Sequence, residues 1–364
     1  MSRLGDDLAS GLKIEALRLG FDAAGIAPAV GPPHYPDYLG WLEAGRAGPL
    51  GYLERQAPLR AHPDQLLSGA RSMVVVLQVY GAAPTDTPQP PASSGKIAQY
   101  ARGATDYHPL FWRRLESLLA WVQEREPSAN GRAVCDSAPL LERDFAMLAG
   151  LGWVGKNTLL LSRTLGSYTL LGALLLDIDL PADGPFTADH CGTCTRCIDA
   201  CPTGAIVSPR TLDARRCIST WTIEAKGPLP QPQAEALHGW VFGCDICQDV
   251  CPWNRKAARP REPELAPRSE WVDPDLIAWL VADPAEFQAR LKGTALKRAG
   301  RAGLIRNACL VLAQRGESAA IPALIGLLDD ADSTVRWAAR QAIETLDTPE
   351  TAGAACRGVE ESGS

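Results

Sequence analysis

The sequence predicts an α+β protein of several domains, and three observations predict it. Strand-length apolar segments alternate with helix-length amphipathic ones as far as residue 180. Eight cysteines then crowd a stretch with little apolar content, and the chain beyond residue 296 turns helical with a short repeated pattern. At 364 residues there is room for two or three domains, each able to bury a core. The expected bounds are 1–180 for the interleaved domain, 181–255 for the cysteine domain and 256–295 for a linker and helical segment. Residues 296–350 are expected to form the helical repeat and 351–364 a flexible tail.

Taken in order, Asp6–Leu19 is expected to be a helix, with Asp6 or Asp7 as its cap and Leu8, Leu12, Ala16 and Leu19 near one face. Arg71–Tyr80 is β-branched and short, which suits a buried strand, and Pro84–Gly95 is a Pro/Ser-rich loop. Leu110–Glu124 has helical spacing. Ala133–Val134 suits a short strand, Leu140–Gly150 a helix, and Ser167–Asp177 a second apolar strand. Pro252–Trp271, with Pro260, Pro263 and Pro267 among charges, has the composition of a linker. Ile305-Arg306-Asn307-Ala308 and Val335-Arg336-Trp337-Ala338 then share a pattern, with helical Ala320–Leu328 between them. This suggests a HEAT-like repeat, with an ordinary helical bundle as the alternative.

Composition narrows the function. Hydrophobic residues make up 46% and charged residues 21%, against global disorder. The apolar stretch Tyr168–Leu176 is closed by Asp177, far short of the ~20 residues a membrane helix needs. The N-terminus shows no uninterrupted apolar run and no twin arginine, so a cytoplasmic location is expected. A net charge of −6 means that nucleic-acid binding cannot be argued from overall charge.

The eleven cysteines are the sharpest signal. Cys135, Cys309 and Cys356 are isolated, and an odd total without an export signal argues against a disulfide framework. Cys191-x2-Cys194-x2-Cys197-x3-Cys201-Pro202 is the bacterial ferredoxin run, whose fourth cysteine serves the other cluster. Cys244-x2-Cys247-x3-Cys251-Pro252 carries the last three positions of a second run. Val241 stands where the first cysteine would be, and Cys217 is available to replace it. The expectation is two 4Fe-4S clusters, one on Cys191, Cys194, Cys197 and Cys251, the other on Cys201, Cys217, Cys244 and Cys247. Structural zinc is the competing reading, but a tetrahedral site needs no pair of proline-terminated runs.

Two other motifs mislead. Gly150-Leu151-Gly152-Trp153-Val154-Gly155 matches the dinucleotide fingerprint, yet helical Leu140–Ala149 precedes it where a strand is required. With Lys156 it nearly matches a P-loop, but Asn157 replaces the magnesium-binding Ser or Thr. The glycines are better explained by a tight turn and close approach of backbone to a flat cofactor. His108 suits a ligand, a proton carrier or, as for most lone histidines, a merely hydrogen-bonded structural role.

Together these motifs resemble the epoxyqueuosine reductase family. The resemblance rests on Cys135-Asp136-Ser137-Ala138-Pro139-Leu140-Leu141-Glu142-Arg143, on Gly150 through Asn157, and on the double run ending Cys251-Pro252-Trp253-Asn254. It extends through Gly103-x2-Asp106-Tyr107-His108, Cys217-Ile218-Ser219, Lys226-Gly227, and Gly293-Thr294-Ala295 to Arg306-Asn307, covering nearly the whole chain. It implies a nitroreductase-like N-terminal domain binding base-off cobalamin, a ferredoxin-like two-cluster domain, and a helical repeat. The implied reaction reduces the epoxide of epoxyqueuosine at the tRNA wobble position, with cob(I)alamin fed by the two clusters.

Asp136 matches the family's proton donor. An aspartate suits that role only where its surroundings disfavour its charge, and in isolation it would equally suit a helix N-cap. The resemblance puts Arg60, Tyr100, Lys156, Asn157, Leu160, Leu171, Ser219, Thr222 and Glu224 near the cofactor. Lys292–Arg306 holds Lys292, Lys297, Arg298, Arg301 and Arg306 and no acid, which suits tRNA phosphates, with Lys226 nearer the active site. A solvated helix face is the alternative. The expected partners are tRNA and an external low-potential electron donor such as ferredoxin or flavodoxin, with a monomer as the working form and no membrane. Two other functions compete: a cytosolic corrinoid reductase of a small molecule, dehalogenase-like, and an electron-transfer or scaffold protein that needs no cobalamin.

Overall fold

The β-branched and small-residue segments form one antiparallel sheet in the computed structural model, which describes residues 3–84 and 91–347. Its strands are β1 (Ala23–Pro28), β2 (Ser72–Val79), β3 (Gly131–Val134) and β4 (Thr169–Leu176), in the spatial order β1-β2-β4-β3. Every side chain of β2 is buried, as its run of valines requires. β1 is made of small residues and carries no propensity signal. It is held by antiparallel pairing with β2 from Ala23↔Leu77 to Pro28↔Ser72, and Gly25 lies against the carbonyl of Ala149, where a Cβ would collide.

β3 pairs with β4 only from Gly131↔Leu176 to Val134↔Ala173. The edge of β4 from Thr169 to Gly172 therefore has no ladder partner on that side among the described residues. The helices α1 (Arg3–Arg18), α2 (Tyr107–Gln123) and α3 (Glu142–Leu148) accompany the sheet. α1 begins before the expected caps, so Asp6 and Asp7 lie within it. Asp106 caps α2 through the His108 amide.

The chain divides into two compact units. The first comprises Met1–Pro84, Asp106–Arg215 and Ile246–Ala266, and the second Thr85–Thr105, Arg216–Asp245 and Pro267–Ser364. The expected boundary at residue 180 is therefore not where the chain separates. Gln248 and Asn254, from the second cysteine run, form a buried network with Ser167: Ser167 N donates to Asn254 Oδ1 at 2.7 Å and Ser167 Oγ to Gln248 Oε1 at 3.0 Å. Gly166 has φ +70°, and a Cβ there would collide with Asn254.

The expected linker is also corrected. Arg113 and Arg114 pair with Glu264 and Glu262, and Trp271 is fully buried in the core of the second unit with Trp279 and Phe287. That core continues through the helices Gly300–Gln314, Ile321–Gly326 and Ser333–Leu346. The expected tail, with Cys356, lies outside the described residues. Among the described residues no helix is long and apolar enough to cross a membrane.

Candidate active site and metal centres

Cys191, Cys194, Cys197 and Cys251 line one cavity of about 260 Å³. Burial first, then the charges of the neighbouring cysteines, push Cys197 and Cys251 up. Four thiols so close, Cys251 buried and the other three half-buried, suit a cationic core that takes up their charge, which fits a cubane. Trp153 packs beside Cys191 and Cys251, and its buried indole N–H has no hydrogen-bond partner among the described residues. A cluster sulfur is the kind of acceptor that would satisfy it. Lys156 lines the same cavity and donates from Nζ to Gly192 O at 2.6 Å and Cys194 O at 3.0 Å. Asn157, also lining it, donates to Cys247 O at 3.5 Å. These two side chains thus serve the cysteine loops, where sequence reasoning had turned them toward a corrin.

The two runs fold alike. One-turn helices occupy Arg196–Asp199 and Ile246–Asp249, at matching positions of the two motifs, and carry Cys197 and Cys247. Cys201 Sγ accepts the Ala205 amide at 3.3 Å, and Cys217 caps the helix Ile218–Ile223. Thr222 accepts the amide of Gly243, next to Cys244, at 2.9 Å and donates to Ile218 O at 2.8 Å. Its buried hydroxyl is committed to joining the segments that bear Cys217 and Cys244. Thr222 is therefore corrected from a cofactor contact to a structural brace.

Asp136 directly follows β3's last strand residue and Cys135, at φ +52°. A left-handed aspartate costs about 1 kcal/mol, so something must hold it there. Its amide donates to Glu142 Oε1 at 2.8 Å, and its Oδ2 lies 3.5 Å from His108 Nε2. His108 Nδ1 contacts Asp106 Oδ1 at 2.6 Å. Burial alone would push the imidazole down, but the hydrogen bonds to Asp106 and Asp136 prevail and lift it to about 9. Burial, then the charge of Asp136, pushes Glu142 up to about 8. Asp136 itself is 67% exposed, so any burial it has during turnover comes from what binds there.

Sequence reasoning found Asp136 but gave His108 no partner and Glu142 no role. The faint signals were Asp106 capping a helix with His two residues on, and an acid opening the helix after Asp136. Cys135 is buried; its thiol donates to Leu171 O at 3.2 Å, and burial pushes it far up, which excludes it as a nucleophile.

The other expected cofactor contacts divide. Leu171 lies on the uncovered stretch of β4, near buried Thr169, whose hydroxyl lacks a partner among the described residues. Arg60 is only 8% exposed; its guanidinium lies 5.9 Å over the Tyr38 ring and hydrogen-bonds only Gln56, and no carboxylate pairs with it among the described residues. An open strand edge, an orphaned hydroxyl and an unpaired buried guanidinium fit a large amide-bearing ligand such as a corrinoid. Leu160 is buried in the sheet core, so only its main chain is available. The nearby glycines serve a hairpin rather than a flat cofactor: a Cβ on Gly152 would run into Leu161 O.

In the second unit, Tyr100 packs on Phe242 with ring centroids 6.1 Å apart, and Ser219 is half-buried in the first turn after Cys217. Glu224 binds Arg298 through both carboxylate oxygens, so a residue expected at the cofactor and one expected at tRNA neutralise each other. Arg301 pairs with Asp330 at 2.5 Å. Arg306 is 0% exposed and donates to the carbonyls of Trp221, Ala225 and Gly227. The expected patch of five is thereby corrected to two exposed lysines, Lys292 and Lys297, because acids and carbonyls have claimed the arginines. Lys226 is exposed and donates to Arg298 O at 2.9 Å.

The chain is similar to known proteins over nearly its whole length. Three family models match: epoxyqueuosine reductase QueG over residues 60–137, a 4Fe-4S double cluster binding domain over 190–254, and HEAT repeats over 294–361. The epoxyqueuosine reductase of Salmonella typhimurium is 38% identical over 346 residues, covering 93% of this chain and 89% of that one. A crystal structure of an epoxyqueuosine reductase with an epoxyqueuosine-modified tRNA-Tyr stem loop superposes with a TM-score of 0.85 at 30% identity, covering 99% and 95% of the two chains. One from Bacillus subtilis, with its catalytic aspartate loop swung out of the active site, superposes with a TM-score of 0.86 at 29% identity, covering 98% and 96%.

Proposed function

The chain belongs to the epoxyqueuosine reductase family, and from that premise we propose that it reduces epoxyqueuosine to queuosine at the wobble position of tRNA, using cobalamin bound base-off. The observation that carries this reading is Asp136, exposed at the end of β3 beside the uncovered edge of β4, with His108 3.5 Å behind it. The reaction takes two electrons and two protons, breaks both epoxide C–O bonds, and yields the cyclopentene and water. When bound, cobalamin would supply the low-potential two-electron chemistry at the epoxide carbon.

The protein's own residues do the rest. Cys191, Cys194, Cys197 and Cys251 hold one cluster; Cys201, Cys217, Cys244 and Cys247 hold the other. Arg60, the main chain of Leu160 and Leu171, and Tyr100 and Ser219 are the remaining candidates to hold the corrinoid. Asp136 gives a proton to the departing oxygen, because an alkoxide is a poor leaving group. That proton comes from His108, which the two carboxylates hold as a cation at neutral pH, so Asp136 relays it to the substrate. The Asp136 loop opens to admit substrate, as the loop of the B. subtilis relative can. The substrate base stacks in the pocket while Lys292, Lys297 and Lys226 meet phosphates. A cytoplasmic monomer fed by ferredoxin or flavodoxin completes the reading.

The test is incubation with epoxyqueuosine-bearing tRNA, cobalamin and a low-potential reductant, followed by mass analysis of the nucleosides. Loss of one oxygen is expected. Unchanged tRNA from protein that carries both clusters and binds cobalamin would overturn the assignment, and a halogenated phenol turned over instead would favour a small-molecule reductase.

A further inference from the structure

Glu142 belongs to no cluster and reaches no substrate position, yet it is tied to the residue on which the chemistry depends. We infer that Glu142 is a positioning residue that latches the Asp136 loop closed by accepting the Asp136 amide at 2.8 Å. The inference rests on the proposed role of Asp136 and concerns how that residue is presented.

The two ends of the loop are fixed. Cys135 is buried and bonded to Leu171 O, and Arg143, next to Glu142, donates to Thr158 O. Between them, Asp136 and Ser137 are exposed, and Asp136 takes a left-handed backbone that no glycine eases. The loop's own hydrogen bonds are short turns, Ser137 N and Oγ to Cys135 O and Leu140 N to Ala138 O. Glu142 makes the one side-chain bond to the Asp136–Leu141 backbone from outside that segment, among the described residues. With the amide held, the aspartate side chain is aimed at His108; with it released, only the tight turn from Ser137 N to Cys135 O and the His108 contact still favour the φ of +52°.

The latch does not need the carboxylate charge. A carboxyl group offers an acceptor oxygen in either protonation state, so the raised proton affinity of Glu142 leaves the bond in place. Glutamine preserves that acceptor, whereas alanine removes it. Aspartate keeps the charge but is one methylene too short to reach. This separates a latch from a proton reservoir, which glutamine could not serve.

The experiment measures hydrogen–deuterium exchange of the 136–141 segment, and kcat and KM of the cobalamin-loaded enzyme, for Glu142→Gln, Glu142→Ala and Glu142→Asp. For alanine and aspartate, exchange should rise about tenfold and kcat fall about tenfold with KM for tRNA little changed; for glutamine both should stay within about twofold. Slow exchange in both the alanine and aspartate variants would overturn the latch, whatever the activity. A glutamine variant that exchanges slowly but turns over no better than alanine would also overturn it, since Glu142 would then be moving a proton. Should alanine fail to fold, the aspartate and glutamine pair still decides. Asp136→Asn fails separately: full activity there refutes the proton donor and leaves the exchange result to judge the latch.

Discussion

His108 Nε2 stands 3.5 Å from Asp136 Oδ2, while His108 Nδ1 contacts Asp106 at 2.6 Å. The capped N-terminus of α2 and the end of β3 therefore meet over an imidazole gripped between two carboxylates. Its side chain is 21% exposed, so water screens the pairing only in part. The carboxylates hold it as a cation at neutral pH, which makes this contact a proton store as well as a tie between two elements.

That tie gives a pH signature in stability. The folded imidazole is raised to about 9 from an ordinary 6.5, so its contribution is complete below the unfolded value and disappears as pH rises through 9. The contribution is about 3 kcal/mol at most. Melting temperature should fall across that window in the parent protein, with a flatter profile in His108→Gln. Parallel profiles would show that the imidazole is not held as a cation.

Asp136→Asn should cripple turnover and spare the clusters. Asparagine tolerates the left-handed backbone as aspartate does, so the loop keeps its shape. Iron content and visible absorbance should be unchanged, and kcat should drop by about 10² to 10⁴, the usual worth of a positioned acid. A variant with full activity would take Asp136 out of the proton path.

How much of this was legible beforehand depended on how local the signal was. The cysteine runs were legible because cluster ligands are close in sequence, and the all-buried strand Ser72–Val79 because its residues allow little else. β1 was not, since Ala23–Pro28 is a strand by virtue of its pairing with Ser72–Val79, which lies far off in sequence. Asp136 could be named by family likeness, but its grip by Glu142 and His108 needs three segments brought together. Arg306 misled for the same reason: charge is visible in a sequence, whereas the carbonyls that bury it are not.

Lys156 should tune the cluster it borders. Its ammonium sits between Gly192 O and Cys194 O on the cavity wall, where a positive charge favours the more negative, reduced cluster. Lys156→Met should lower that cluster's potential on the order of 50 mV, close to a tenfold change in a one-electron equilibrium. A redox titration followed by electron paramagnetic resonance reads this directly. An unmoved potential would mean the lysine only braces the loop.

The corrected basic segment makes two opposite forecasts. Arg306 and Asn307 stitch the helix Gly300–Gln314 to the chain after Cys217 and before Cys244: Arg306 reaches Trp221, Ala225 and Gly227, and Asn307 Nδ2 reaches Thr222 O and Val241 O. Removing the guanidinium leaves buried carbonyls unmet, so Arg306→Met should cost about 3 kcal/mol or more of stability. Its tRNA affinity, measured on the folded fraction, should be near normal. Lys292 and Lys297 are exposed and free to meet phosphates. The double variant Lys292→Gln, Lys297→Gln should melt like the parent but bind tRNA more weakly, with its logarithmic salt slope reduced by about 1.5 to 2. If Arg306→Met instead melts normally and loses tRNA, the arginine reaches solvent after all. If the lysine pair leaves the slope untouched, the phosphates lie against another face.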